Sequence, residues 1–195
     1  MAHSQAPALA RAALALFVAC LVAAHLLNTE LDPARHMVSE YANHRAGWVI
    51  EAGFGAWIAA LLLGAGETST RAVSILLVVA ALGVSVLAIF HTQTSAGRLP
   101  SGVARSTGGR LHDLGTDLAT VALLAAAVTS AAAARRRHDP QSATIVVILG
   151  VVVFATVVGL AIGPSVAGLR QRAMLGGAVM WLWLLSRPAA APRDN

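Results

Sequence analysis

The chain has 195 residues, 57% of them hydrophobic and 12% charged, with a formal net charge of +5. A soluble domain of this length needs far more charge to cover its surface, so a water-exposed globule is excluded and a helical membrane protein is indicated. The basic residues are all arginine and lie scattered at the ends of apolar runs, with no aromatic–basic platform, which argues against nucleic acid; the lone Cys20 rules out an internal disulfide.

The first apolar run, about Ala8–Leu27, begins after few residues and contains Arg11, as a signal peptide would. It continues through Leu21-Val22-Ala23-Ala24 past Cys20, and further spans follow, which favours a retained span. The second is about Gly47–Gly66, the third about Ala72–His91, the fourth about Leu114–Ala134 and the fifth about Ala143–Ile162. Each approaches the ~20 residues that cross a hydrocarbon core, and backbone groups in lipid must be satisfied within the segment, so each is read as a helix. The sixth, around Ala173–Leu185, is short and is expected to begin near Ser165, after Pro164, which puts Arg170, Gln171 and Arg172 in its first turns. The expected fold is an all-α integral membrane bundle of six transmembrane helices, one domain over residues 1–187, with a disordered tail at 188–195 (PAAAPRDN).

Six spans place the first, third and fifth loops on one face. Arginine counts divide evenly between the faces. The Arg135-Arg136-Arg137 cluster in the fourth loop then assigns both termini to the cytoplasm of a bacterial inner membrane. The first loop, DPARHMVSEYANHRAGW (32–48), is the densest polar stretch. Asp32-Pro33 reads as the start of a short interfacial helix. On it Asp32, His36, Glu40 and His44 would form one polar stripe at four-residue spacing. Histidine–carboxylate spacing of this kind can hold a metal, and a solvated loop helix produces it equally well. GGRLHDLGTDLAT (108–120) leads into the fourth span, with His112 and Asp113 at its mouth and Asp117 about one turn inside, expected to face the bundle and to pair with Arg110, Arg172 or His112. Glu51 stands in a similar position in the second span. His25 and His91 end the first and third spans, but nothing in the sequence opposes them across a haem.

HMVSEYA with GWVIEAGF, then GGRLHDLGTDLA, then GLRQRAMLGGAVMWLW (168–183) resemble, in the right order, three signatures of the domain-of-unknown-function 998 family. The resemblance implies a six-span bacterial integral membrane protein and brings no activity. Its polar positions fall on Ser39, Glu40, Gly109, His112, Asp113, Gln171 and Arg172. One departure is Gln93, in Phe90-His91-Thr92-Gln93, where the family often carries an aspartate.

Three functions fit these residues. The first is a module that binds a membrane lipid headgroup or a protein partner, itself included as a homo-oligomer, through Arg110, Asp117, Gln171 and Arg172. The second is a membrane-embedded hydrolase of a lipid-like substrate. It would hold a divalent metal on some of His36, His44, His91, His112 and Asp113, with Ser39, Glu40, His112 and Asp113 as the catalytic candidates. The third is a small proton-coupled transporter using Glu51 and Asp117, against which the lack of an internal repeat counts.

Overall fold

A computed structural model describes residues 5–138, 144–149, 151–152 and 162–186. Within them the chain is helical, and no strand forms beyond an isolated bridge between Ser95 and Arg98. The helices are α1 (Ala6–Leu27), α2 (Gly47–Glu67), α3 (Arg71–Ile89), α4 (Thr107–Arg136) and α5 (Ala167–Leu185). Residues 144–149, 151–152 and 162 are helical too, while the rest of the expected fifth span and the expected disordered tail lie outside the described residues.

Among the described residues four helices, α1 to α4, are long and apolar enough to cross a membrane. At 1.5 Å per residue, the 22 residues of α1 reach about 33 Å, close to the ~30 Å of a hydrocarbon core. Their outward faces suit lipid, because large apolar side chains such as Leu16, Leu26, Leu62, Leu82 and Val121 are exposed there. Inward, Phe17, Ile50, Trp57, Leu61, Leu77 and Trp181 form a continuous core. The Trp181 indole N–H donates to Ser130 Oγ at 2.9 Å, so α5 is pinned to α4 by a polar bond in apolar surroundings.

Helices α3 and α4 approach each other closely. A Cβ on Gly83 would lie 2.6 Å from Ala119 N and 2.7 Å from Gly115 O. One on Gly115 would lie 2.7 Å from Gly83 O. Glycine is required at both positions because the opposing atoms are backbone.

Two boundaries differ from expectation in ways that matter. Helix α4 starts at Thr107, seven residues before the apolar run, because Ser106 caps it by accepting the Gly109 N–H at 3.1 Å. Its 30 residues extend about 45 Å, so its first turns project beyond a bilayer core. The first loop does not form the single interfacial helix expected of it. Asp32 caps a turn through Ala34 N–H at 2.9 Å, Met37 is extended (φ −71, ψ 155), and a six-residue 3-10 helix follows at Val38–Asn43. The helix is interrupted because its carbonyls are used elsewhere: Ala34 O accepts the Leu169 N–H of α5 at 3.0 Å, and His36 O accepts from Arg172. The sixth predicted span starts as expected, with a 3-10 turn at Pro164–Val166 leading into α5.

Candidate functional site

The C-terminal ends of α1 and α3 and the N-terminal ends of α2, α4 and α5 meet at one end of the bundle. The first and third loops fold over them. Glu40 is the centre of this cap. Its side chain is 2% exposed. Its carboxylate accepts three hydrogen bonds of 2.9 Å each, from Thr94 Oγ1 and Gly97 N to Oε1 and from Ala96 N to Oε2. Ala96 (φ 50) and Gly97 (φ 73) both lie in the left-handed region, which turns consecutive N–H groups toward one point and makes a concave anion seat. Among the described residues Glu40 forms no ion pair; dipoles of the third loop neutralise it instead. Asn43 Nδ2 adds a bond to Thr92 O at 2.9 Å and closes the same joint.

Arg172 makes the second joint. Nε donates to His25 Nε2 at 2.9 Å, Nη1 to His36 O at 2.7 Å, and Nη2 to the Tyr41 hydroxyl at 3.2 Å. Its guanidinium also lies over the Tyr41 ring, 5.6 Å from the centroid. The neighbouring Gln171 accepts the Val38 N–H through Oε1. Burial pushes the Tyr41 phenol above its ordinary range, with Arg172 pulling the other way, so it remains a neutral hydroxyl at neutral pH. Tyr41 is the only tyrosine in the chain, and it closes the HMVSEYA motif. Its role was visible there only as a motif letter.

The predicted stripe does not form one face. Glu40 is buried, Asp32 and His44 are exposed, and His36 turns its Nδ1 to within 3.2 Å of Asp32 O. The remaining candidates separate onto different partners. His112 is 4% exposed, with Nδ1 2.7 Å from Phe90 O and 3.1 Å from Leu87 O, so it ties α4 to the end of α3. Asp113 Oδ2 lies 2.6 Å from Arg105 Nη1, off the direction of a good hydrogen bond, as a half-exposed ion pair worth little. His91 pairs with Glu51 at 3.2 Å, and His44 with Glu30 at 3.4 Å, both near the surface. Asp117 and Arg110 are exposed, and among the described residues no hydrogen bond or ion pair joins either to Arg172. Asp117 points outward because the inner face of α4 at that level is occupied by Gly115 and Ala119 against α3. Among the described residues no three His, Cys, Asp or Glu side chains gather where a metal could sit. Gln93 works as a brace, its Oε1 accepting the Ser106 N–H at 2.8 Å beside the α4 cap.

Beneath the cap lies a cavity of about 50 Å³. Ser39, Thr116, Thr120 and Gln171 supply its polar groups, and Phe17, Phe54, Trp57, Leu123, Met174 and Leu175 much of its apolar wall. A second, almost wholly apolar cavity of about 30 Å³, lined in part by the same Thr120, Leu123, Met174 and Leu175, lies between α4 and α5 and reaches Trp181. Together the two spaces are therefore polar under the loops and apolar toward Trp181.

An all-helical bundle with membrane-length apolar helices and a loop-built polar cap at one end defines the class: a helical membrane protein. The chain matches the family described as "Protein of unknown function (DUF998)" over residues 11–188, and it belongs to that family. No curated protein and no solved structure matches it.

Proposed function

We propose that this is a six-span, multi-pass protein of the bacterial inner membrane that binds a membrane lipid under its polar cap. The observation that carries the reading is the zoned pair of cavities, with Ser39 and Gln171 at the capped end and Leu123, Met174 and Leu175 along the shared wall. That order matches an amphiphile with its polar end toward the loops; the two cavities are smaller than a lipid, so binding widens the space between α4 and α5. Arg172 contributes less to ligand charge than its position suggests, since three of its five N–H donors are already used. A metal-dependent hydrolase is disfavoured by the separation of its candidate ligands.

The test is native mass spectrometry of protein extracted in mild detergent. One lipid is expected to remain bound. Thr120→Trp, which puts an indole on the wall that both cavities share, is expected to reduce it about tenfold or more, a loss of ~1.4 kcal/mol or greater. A lipid-free wild type, or a folded Thr120→Trp protein that keeps its lipid, would remove the reading; a stoichiometric metal lost on His112→Ala would replace it with the hydrolase.

The proposed orientation puts both termini in the cytoplasm and the cap toward the periplasm. With Cys20 replaced by serine, a cysteine at exposed Arg35 should react with an impermeant maleimide from outside the cell, and one at Arg136 only after permeabilisation. The reverse pattern inverts the assignment.

A further inference from the structure

Arginine can only donate hydrogen bonds. Since Arg172 Nε points at His25 Nε2 from 2.9 Å, that ring nitrogen must be the acceptor, and the ring must be neutral. Its one proton then resides on Nδ1, which donates to Leu21 O at 2.6 Å in the last turns of α1. Both nitrogens are committed, so the ring cannot take a second proton without breaking its bond to Arg172.

From this geometry we infer that His25 and Arg172 form a proton-operated latch between α1 and α5. The charged groups around it favour this reading. Arg172 faces the ring from α5, and Tyr41 lies beside it from the first loop, centroids 4.9 Å apart. The acids acting on this cluster, Asp32 and Glu40, influence Arg172 and Tyr41, and neither forms an ion pair with His25. Protonated His25 loses its acceptor and gains a like-charged neighbour with no anion beside it to compensate. Arg172 then leaves the ring, and its bonds to His36 O and Tyr41, which use the same rigid guanidinium, shift with it. The latch is therefore closed at neutral pH and released on acidification, when the ring takes up a second proton.

Release acts on the cavity through one residue. Gln171 is adjacent to Arg172, ties α5 to Val38, and lines the space below the cap. Freeing the α5 N-terminus loosens that wall. The link to ligand access rests on the lipid-binding reading above, whereas the latch itself does not.

The experiment is double electron–electron resonance on the full chain in nanodiscs, with Cys20 replaced by serine and spin labels at Arg35 and Ser165, both exposed. A narrow distance distribution is expected at pH 7.5, and a shift to longer distances at pH 5. His25→Gln cannot become cationic, so the pH-dependent shift should vanish, whether glutamine holds the latch closed or leaves it open throughout. His36→Gln and His44→Gln should retain the shift. A wild type with one distribution at both pH values overturns the latch, and so does a shift that survives His25→Gln or disappears with His44→Gln. No lipid enters this readout, so failure to retain lipid and failure of the latch are separate results.

Discussion

Glu40→Gln is expected to lower stability by about 3 kcal/mol, since it leaves a buried donor unpaired and removes charge-assisted bonds. Oε1 accepts from Thr94 and Gly97 while Oε2 accepts from Ala96. Whichever way the glutamine amide is placed, its NH2 meets a donor of the third loop, so a repulsive contact replaces a bond. Thr94→Val removes a single hydroxyl donor and should cost only about 1 kcal/mol. Unfolding in a mixed-micelle titration gives both values, and hydrogen exchange at Ala96 and Gly97 localises the effect. Equal losses for the two variants would mean that the carboxylate is only a hydrogen-bond acceptor and that its charge contributes nothing.

The second large effect is expected at the α3–α4 crossing. Gly83→Ala puts a methyl group 2.6 Å from Ala119 N and 2.7 Å from Gly115 O. Neither atom can rotate away, so the helices must separate along the contact. Overpacking of this kind costs about 1–3 kcal/mol, and lipid offers no hydrophobic drive to bring the helices back together. Gly83→Leu should exceed that range and reduce the folded yield in the membrane. Gly83→Ala combined with Gly115→Ala should cost less than the sum of the two, because both relieve their clash by the same separation. Additive losses would show that each glycine has its own contact. His112 depends on this crossing as well. Its bonds to Phe90 O and Leu87 O require α3 and α4 at their present spacing, so the third-loop end of the cap should loosen in the same variants.

The sequence made the helices legible because apolar length is a local property. The observed α1 and α2 end within two residues of their expected bounds. The first and third loops and the start of α5 meet at one end, which an alternation of spans assigns to a single face. The contacts within the cap were not legible. Glu40 is held by backbone N–H groups of residues 96 and 97, and no side-chain pattern marks those donors. The stripe of Asp32, His36, Glu40 and His44 assumed an unbroken helix, but carbonyls in that stretch are claimed by Leu169 and Arg172, which lie more than a hundred positions away. Asp117 was expected to turn inward on the cost of a carboxylate in lipid. The tight glycine–alanine contact of α4 with α3 leaves no room for it there. The metal candidates suffered from the same limit: histidine spacing along the chain cannot reveal that His36, His44, His91 and His112 each face a different partner.

Arg172 also has a consequence for the order of events during synthesis. The first loop emerges early, yet His25, His36 and Tyr41 must wait for a side chain made well over a hundred residues later. Glu40 likewise waits for the loop that follows α3. The cap end of a nascent chain is thus incomplete until the last described helix has been made, and chains cut short before Arg172 should leave the segment around Met37 open to proteases. Quality control therefore has a simple cue for an unfinished molecule: a polar loop near the N-terminus that has not yet been covered.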